Sequence, residues 1–131
     1  MAFVIVDQTT LVRVTFHGAL TEADLQGIAD AAEEIERGRH PVPHRIADLS
    51  GVTEVRVDYE DMKVLAGRRR RIKFANAFRS AIVVKTPVQM GMARMFQTLN
   101  DNPQIEIRIF EDEAPALQWL ASPAIEAPAS A

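Results

Sequence analysis

Residues 79–110 read RSAIVVKTPVQMGMARMFQTLNDNPQIEIRIF and contain a strand, a helix and a second strand in succession. The first strand, Arg79 to Lys85, has an apolar centre. Thr86-Pro87 then supplies a helix cap and a first-turn proline, and the stretch 100–103 ends the helix at a proline. Alternating isoleucines form the second strand from Ile105. One face of the helix is apolar and consists of Val88, Met92, Met95, Phe96 and Leu99. Such a unit predicts two parallel strands joined by a right-handed helical crossover.

The N-terminal part of the chain predicts an antiparallel hairpin followed by an amphipathic helix. Phe3 to Val6 and Leu11 to Phe16 are β-branched and aromatic runs, separated by a polar turn of hairpin length. His17-Gly18 is expected to break the second strand. Thr21 is expected to cap a helix that ends at Gly38. The apolar face of this helix consists of Leu25, Ile28, Ala29, Ala32 and Ile35, and the opposite face of Asp30, Glu33, Glu34 and Glu36.

The middle of the chain predicts a short buried strand and a helix with a basic end. The strand runs from His44 to Leu49, and Ser50-Gly51 is expected to close it. After an irregular stretch, Asp58 can cap a helix that has acids in its first turn. Arg68 to Arg71 stand at its end, which is the arrangement that the helix dipole favours.

These elements predict one α/β domain. Its five-stranded mixed sheet has an antiparallel N-terminal hairpin and is otherwise mainly parallel, and with four helices the element order is ββαβαβαβα. A chain of 131 residues is long enough to bury a core of its own. The predicted domain covers residues 1–121. Residues 122–131 are mostly Ala, Pro and Ser, which predicts a disordered tail.

Composition and motifs narrow the class of protein. The chain has no cysteine, which excludes disulfides and thiolate chemistry and fits a reducing compartment. Neither a signal peptide nor a membrane span is indicated, so the cytoplasm is the expected location. Prolines at 41 and 43 prevent a helix that would place His40 and His44 on one metal ion. Because no nucleophile elbow or glycine-rich phosphate loop follows a strand, we expect no enzymatic activity and no cofactor.

Charge is segregated along the chain. The formal net charge is −3, yet residues 62–100 hold nine of the fifteen basic residues and no acid. A surface of one sign concentrates counter-charges, so an anionic partner is the first functional hypothesis. Nucleic acid is not expected, because the chain is acidic overall and has a single Tyr and a single Trp for base stacking.

Three short motifs resemble SpoIIAA-like, or STAS-type, domains. Asp48-Leu49-Ser50-Gly51-Val52-Thr53 resembles the strand end of anti-sigma-factor antagonists, and Val12-x-Val14-x-Phe16-x-Gly18-x-Leu20-Thr21 resembles their second strand and helix start. Ile109 to Ala114 with Trp119-Leu120 resembles their closing strand and helix. The likeness covers residues 3–121. Within the family, the chain more closely resembles a divergent branch, whose fold is compared with STAS domains and with the lipid-binding domain of yeast phosphatidylinositol transfer proteins. It implies a non-enzymatic regulatory or protein-interaction module, with a protein partner or a homodimer.

One departure from the family pattern bears on regulation. Antagonists of the sporulation type carry a phosphorylated serine at the start of the helix after the third strand, where this chain reads Val57-Asp58-Tyr59-Glu60-Asp61-Met62. The phosphoacceptor is missing, and acids in its place would repel an added phosphate. We therefore expect an interaction module without this kinase switch. Its contact surface would combine a loop at Asp48 to Thr53 with the start of the next helix. The predicted contact residues are Asp48, Ser50, Thr53, Asp58 and Tyr59.

A carrier or sensor of a small apolar or anionic ligand, such as a lipid, is the alternative. It would hold an anionic head at Arg69, Arg70 or Lys73. The plain interpretation of these residues is a solvated helix end, since arginine-rich helix ends are common for dipole reasons alone. Arg69 lies on the apolar arc of its helix, so either Gly67 breaks the helix or the head of Arg69 lies in water at the sheet edge. A carrier also needs a cavity, and the residues expected to line it are Met62, Leu65, Met92 and Phe96.

Overall fold

The computed structural model of the chain describes residues 3–8 and 11–123. Within these residues it contains five strands and four helices. In chain order they are β1 Phe3–Asp7, β2 Leu11–Thr21, α1 Glu22–Gly38, β3 His44–Arg56, α2 Tyr59–Arg70, β4 Phe78–Val83, α3 Pro87–Leu99, β5 Ile105–Phe110 and α4 Glu113–Ala121. None of these helices is both long enough and apolar enough to span a bilayer. The predicted tail at 122–131 lies outside the described residues, apart from 122 and 123.

The strands form one sheet in the order β1-β2-β3-β4-β5, which confirms the predicted fold class. β1 pairs antiparallel with β2, and the three remaining pairs are parallel. Each of the three crossovers, from β2 to β3, from β3 to β4 and from β4 to β5, leads to the next strand in the same direction across the sheet. Right-handed connections therefore place α1, α2 and α3 on the same face of the sheet. The main core lies under these helices and includes Val14, Leu25, Met62, Ile82 and Met92. A smaller core lies under α4 on the other face and consists of Ile46, Ala81, Val83, Ala116 and Leu120.

Strands β2 and β3 are longer than predicted. His17-Gly18 and Ser50-Gly51 were expected to end them, but both strands continue and pair in parallel as far as Thr21 and Arg56. The register shifts twice near Gly18, whose φ of +73° is accessible to glycine. A Cβ on Gly51 would lie 2.5 Å from the backbone oxygen of Phe16. Gly18 therefore permits the irregular backbone of β2, and Gly51 permits the close approach of β3 to β2, and neither ends its strand.

Helix starts follow the local capping rules. Thr21, Asp58 and Thr86 each accept a hydrogen bond from the backbone of the third helical residue, whose side chain accepts one in return. These capping boxes confirm the predicted caps of α1, α2 and α3. Val88 departs from the prediction that it belongs to the buried face of α3, since it is 64% exposed in the first turn.

Arg79, buried on β4, ties the end of α4 to the sheet. Its Nη1 donates to the carbonyl oxygens of Trp119 at 2.5 Å and Ser122 at 2.8 Å. Its backbone N–H donates to Nδ1 of His44 at 2.9 Å. Burial is the main cause that lowers the pKa of His44 below its ordinary value, and the positive charge of Arg79 lowers it further. The neutral imidazole with Nδ1 as acceptor is therefore the form that this fold favours.

Candidate functional site

The predicted contact residues lie along β3 and at the start of α2. The predicted loop at Asp48 to Thr53 is wrong, because β3 runs through it and pairs with the extended part of β2. Asp48 accepts hydrogen bonds from the N–H and the hydroxyl of Ser50, at 2.9 and 2.6 Å. Ser50 and Thr53 are exposed, while their neighbours Leu49 and Val52 point into the core. The exposed residues Ser50 and Thr53 are three positions apart, so they do not follow the regular alternation of a strand, which fits the register shifts between β2 and β3.

The start of α2 is a capped and exposed end of a helix. Asp58 accepts from the N–H of Asp61 at 2.9 Å, and Asp61 accepts from the N–H of Asp58 at 3.0 Å. Tyr59 follows directly and is 51% exposed. The role of all five predicted contact residues in binding a partner remains a prediction.

Gln89 joins the start of α3 to β3, and its role was not predicted. Its side chain is buried, its Nε2 donates to the oxygen of Val52 at 2.9 Å, and its Oε1 accepts from the N–H of Lys85 at 2.7 Å. The spacing of Thr86 and Gln89 is that of a capping box, which is the signal that could have identified it. Because of this link, the start of α3 is held beside the strand that leads into α2.

Two of the arginines at the basic end of α2 are paired with acids of α1. Arg68 binds Asp30 at 2.6 Å and Glu33 at 2.7 Å. Arg69 is buried, with its side chain 4% exposed, and α2 continues through Gly67. Both alternatives for Arg69 are therefore wrong, since the helix is unbroken and the guanidinium is out of water.

The three predicted anionic-ligand residues do not share one surface. Arg70 and Lys73 are exposed, whereas Arg69 points inward. The guanidinium of Arg69 lies over the ring of Phe74, with 5.6 Å between Cζ and the ring centroid. Whether any of the three binds an anion stays a prediction.

Glu36 is the buried partner of two arginines. Its Oε1 accepts from Nη1 of Arg69 at 2.8 Å, and its Oε2 accepts from Nη2 of Arg69 and from Nη2 of Arg45, both at 2.5 Å. The prediction that Glu36 lies on the outward face of α1 is wrong. It follows Ala29 and Ala32 by seven and four residues, which places it on their buried face. We call Arg45, Glu36 and Arg69 the buried charge cluster.

The cluster favours its ionised form. Burial opposes the charge of Glu36, but the hydrogen bonds and charges of Arg69 and Arg45 outweigh it, so the pKa of Glu36 is lowered. Burial is the main cause that lowers the pKa of Arg45, and the charge of Arg69 lowers it further. Glu36 acts in the opposite direction. Arginine nevertheless remains charged in proteins. The three groups together carry one net positive charge.

A cavity of about 120 Å³ lies between the sheet and helices α1, α2 and α3. Met62, Leu65, Met92 and Phe96 all line it, as the carrier alternative requires. Most of the remaining lining is also apolar. The polar side chains in its wall belong to Arg45, Arg69 and Ser80, so the buried charge cluster borders this cavity. Among residues 3–8 and 11–123, no group of three or more acidic or histidine side chains is placed to hold a metal ion.

Comparison with known proteins supports the fold and gives the family. No curated protein sequence matches the chain. Among solved structures, it is similar to an uncharacterized protein with a SpoIIAA-like fold from Shewanella loihica, with a TM-score of 0.59, 22% identity, and coverage of 91% of this chain and 92% of that one. It is also similar to an anti-sigma factor antagonist from Mycobacterium paratuberculosis, with a TM-score of 0.62, 15% identity, and coverage of 92% and 93%. A SpoIIAA-like family model matches residues 11–121, and the chain therefore belongs to the SpoIIAA-like family.

Proposed function

We propose that this chain is a non-enzymatic regulatory module that binds another protein and has no serine phosphorylation switch at the start of α2. The observation that carries the proposal is that a large apolar or aromatic side chain is exposed at the start of α2 and another at the start of α3. Tyr59 is 51% and Val88 64% exposed, and both helices follow adjacent parallel strands at the same edge of the sheet. Ligand and partner sites of α/β folds gather at this edge. The similarity to an anti-sigma factor antagonist supports a protein as the partner.

The contacts around this surface favour constant, unswitched binding. The start of α2 presents the carboxylates of Asp58 and Asp61 where the antagonists have a phosphoacceptor, and each carboxylate already accepts a backbone N–H. A phosphate added there would meet these charges. Ser50 lies within β3, and its hydroxyl donates to Asp48 at 2.6 Å.

A cross-linking experiment with matched variants tests this proposal. The unaltered protein is expected to cross-link to a specific partner. Val88→Asp and Tyr59→Asp should each abolish this cross-linking, because each would place a charge in an apolar contact. Val64→Asp is the control, since Val64 is 58% exposed but lies about 140° around α2 from Tyr59. Equal capture by all three variants would contradict the proposed surface.

A second function, the carriage or sensing of a small ligand, is favoured by the cavity. At about 120 Å³ it is close in size to an engineered cavity of about 150 Å³ that binds benzene, and smaller than the roughly 300–1,000 Å³ of drug-sized sites. The ligand, or the part of it that enters, is therefore of benzene size. A whole long-chain lipid would not fit without enlargement of the cavity.

Native mass spectrometry tests the carrier function. An excess mass that denaturation removes is expected for the unaltered protein and for Ala23→Leu, which adds atoms at an exposed position of α1. Ala93→Leu adds the same atoms at a buried residue that lines the cavity, and it should lose the excess mass. A bare protein mass that stays unchanged when small apolar compounds are added would oppose this function.

A further inference from the structure

Ser80 places a hydroxyl in the apolar wall of the cavity. It stands on β4, where the next residue, Ala81, and also Val83 belong to the core under α4. Ile82 belongs to the main core and lines the cavity. Because successive side chains of a strand point to opposite faces of the sheet, Ser80 points in the same direction as Ile82. Ser80 accordingly lines the cavity as well.

The hydroxyl of Ser80 has no hydrogen-bond partner within the described part of the chain, although the residue is only 7% exposed. Among these residues, the side-chain atoms that are both fully enclosed and unpaired are Nε of Arg45 and Oδ1 of Asn100. The Ser80 hydroxyl is not one of them, so it retains surface that a small molecule can reach. Since β4 lies between β3 and β5 in the sheet, this surface faces the cavity. A polar group without a partner in an apolar wall is unfavourable, and a ligand that supplies the partner is stabilised.

The charged groups of the cavity wall balance one another, so the cavity favours a neutral ligand. Arg45 and Arg69 are the charged residues in this wall. Together with Arg68 they face three acids of α1, which are Asp30, Glu33 and Glu36. This network has no surplus charge for an ion to neutralise, and an ion would lose its hydration on entering an apolar space.

We propose that the cavity binds a small aromatic alcohol of the phenol type, whose hydroxyl forms a hydrogen bond with that of Ser80. This inference rests on the carrier function proposed above and gives the chemical class of the ligand. A hydroxyl can donate and accept, so the two groups satisfy each other in either direction. A second polar group on the ligand would meet apolar side chains and remain unpaired, so one polar group is the number that the cavity favours.

The remaining wall suits an aromatic ring. At about 120 Å³ the cavity is close to the size that holds benzene. Contacts between sulfur and a ring and between two rings are attractive. The side chains of the wall that can make them are Phe16, Met62, Met92 and Phe96.

The probes are phenol and toluene, which share a ring and differ by a hydroxyl in place of a methyl group. Titration calorimetry of the full-length protein is expected to show binding of both. In Ser80→Ala, the ratio of the phenol affinity to the toluene affinity should fall at least about fivefold, the effect of losing one hydrogen bond. Ser80→Cys retains a weak donor and should give an intermediate ratio.

Two further variants locate the effect. Ser50→Ala removes a hydroxyl from an exposed position of β3 and should leave both affinities within about twofold. Ala93→Leu fills the cavity and should abolish the binding of both probes. Phenol should also shift the backbone amide NMR signals of Ser80 and Ile82. Thermal unfolding of each variant establishes that it is folded.

The outcomes separate the two proposals. If the unaltered protein binds neither probe, the carrier function fails and this inference fails with it. If toluene binds and phenol does not, or if the affinity ratio is unchanged in Ser80→Ala, a carrier remains but the hydroxyl site is overturned. Phenol binding that persists in Ala93→Leu would also overturn the site, because phenol would then lie outside the cavity. Should Ala93→Leu not fold, the amide signals of Ser80 and Ile82 decide where phenol binds.

Discussion

Replacing Glu36 by glutamine is expected to destabilise the protein by about 3–5 kcal/mol, the cost of removing one partner of a buried ion pair. The Glu36 side chain is only 4% exposed and accepts hydrogen bonds from both Arg45 and Arg69. Glutamine preserves the volume, so packing is unchanged. Its amide oxygen can replace the 2.8 Å contact with Arg69, but its NH₂ group would then face two donors at the 2.5 Å contacts. The guanidinium of Arg45 would be left without a counter-charge, and that of Arg69 with only Glu33, which lies 3.9 Å away and also binds Arg68.

Urea unfolding followed by circular dichroism measures this loss. With an m-value of about 2 kcal/mol/M, the midpoint should fall by roughly 1.5–2.5 M while the m-value stays constant. Such a loss is a large share of the ~5–15 kcal/mol by which domains are stable. Glu34→Gln is the matched control, because Glu34 is exposed on the same helix, and it should change stability by no more than about 0.5 kcal/mol. A loss below about 1 kcal/mol for Glu36→Gln would refute the burial and pairing on which the figure depends.

Removal of the whole cluster should have the opposite result. Buried ion pairs can often be replaced by apolar side chains of similar size at no cost in stability. The combined variant Glu36→Leu, Arg45→Met and Arg69→Met is therefore expected to be more stable than Glu36→Gln alone, in the same urea experiment. If the combined variant were the less stable of the two, the loss in Glu36→Gln would not come from uncompensated charge.

Further predictions concern single buried groups. Because the fold lowers the pKa of His44, the unfolded chain binds more protons than the folded one below about pH 6.5. The free energy of unfolding should therefore fall as the pH drops from about 7 to 5.5. His44→Asn keeps a hydrogen-bond acceptor and should flatten this dependence of stability on pH. Gln89→Leu leaves the carbonyl of Val52 without its side-chain donor and should cost about 1–3 kcal/mol in urea unfolding. Gly51→Ala should cost about 1–3 kcal/mol, since its Cβ would lie 2.5 Å from a backbone oxygen. Gly91→Ala, on α3 where nothing lies within 4 Å, should stabilise by about 0.5–1 kcal/mol, and equal thermal shifts in the two alanine variants would contradict both expectations.

Local rules explain why the helices could be predicted and the long strands could not. The caps at Thr21, Asp58 and Thr86 depend on residues three positions apart, so the sequence contains all the information needed. The extension of β2 and β3 depends on each strand pairing with the other across more than thirty residues. Gly18 and Gly51 are ordinary turn signals when each is considered alone, and the positive φ of the first and the close contact of the second with β2 are explained only by that pairing.

The buried charge cluster illustrates the same limit within the site. Helical spacing places Arg69 on the inward face of α2, but nothing local gives its partner, which is 33 residues earlier on α1. Glu36 was assigned to the outward face because it is charged, although its spacing from Ala29 and Ala32 is that of a buried residue. At this position the helical periodicity predicts burial correctly and the charge of the side chain does not, because a pair of opposite charges can be buried where a single charge cannot.

Folding also changes what the segregated charge implies. The basic segment 62–100 and the acidic helix α1 are far apart in sequence but in contact in the structure, where Arg68 and Arg69 bind acids of α1. Part of the charge that favoured an anionic partner is therefore neutralised within the molecule. Arg45, on β3 and outside the basic segment, adds a third guanidinium to this network, so that three arginines face Asp30, Glu33 and Glu36 of α1 and the charges balance. The count of basic residues in the segment therefore overstates the charge available to an anionic partner, which would have to be sought in solvent beside exposed residues such as Arg70 and Lys73.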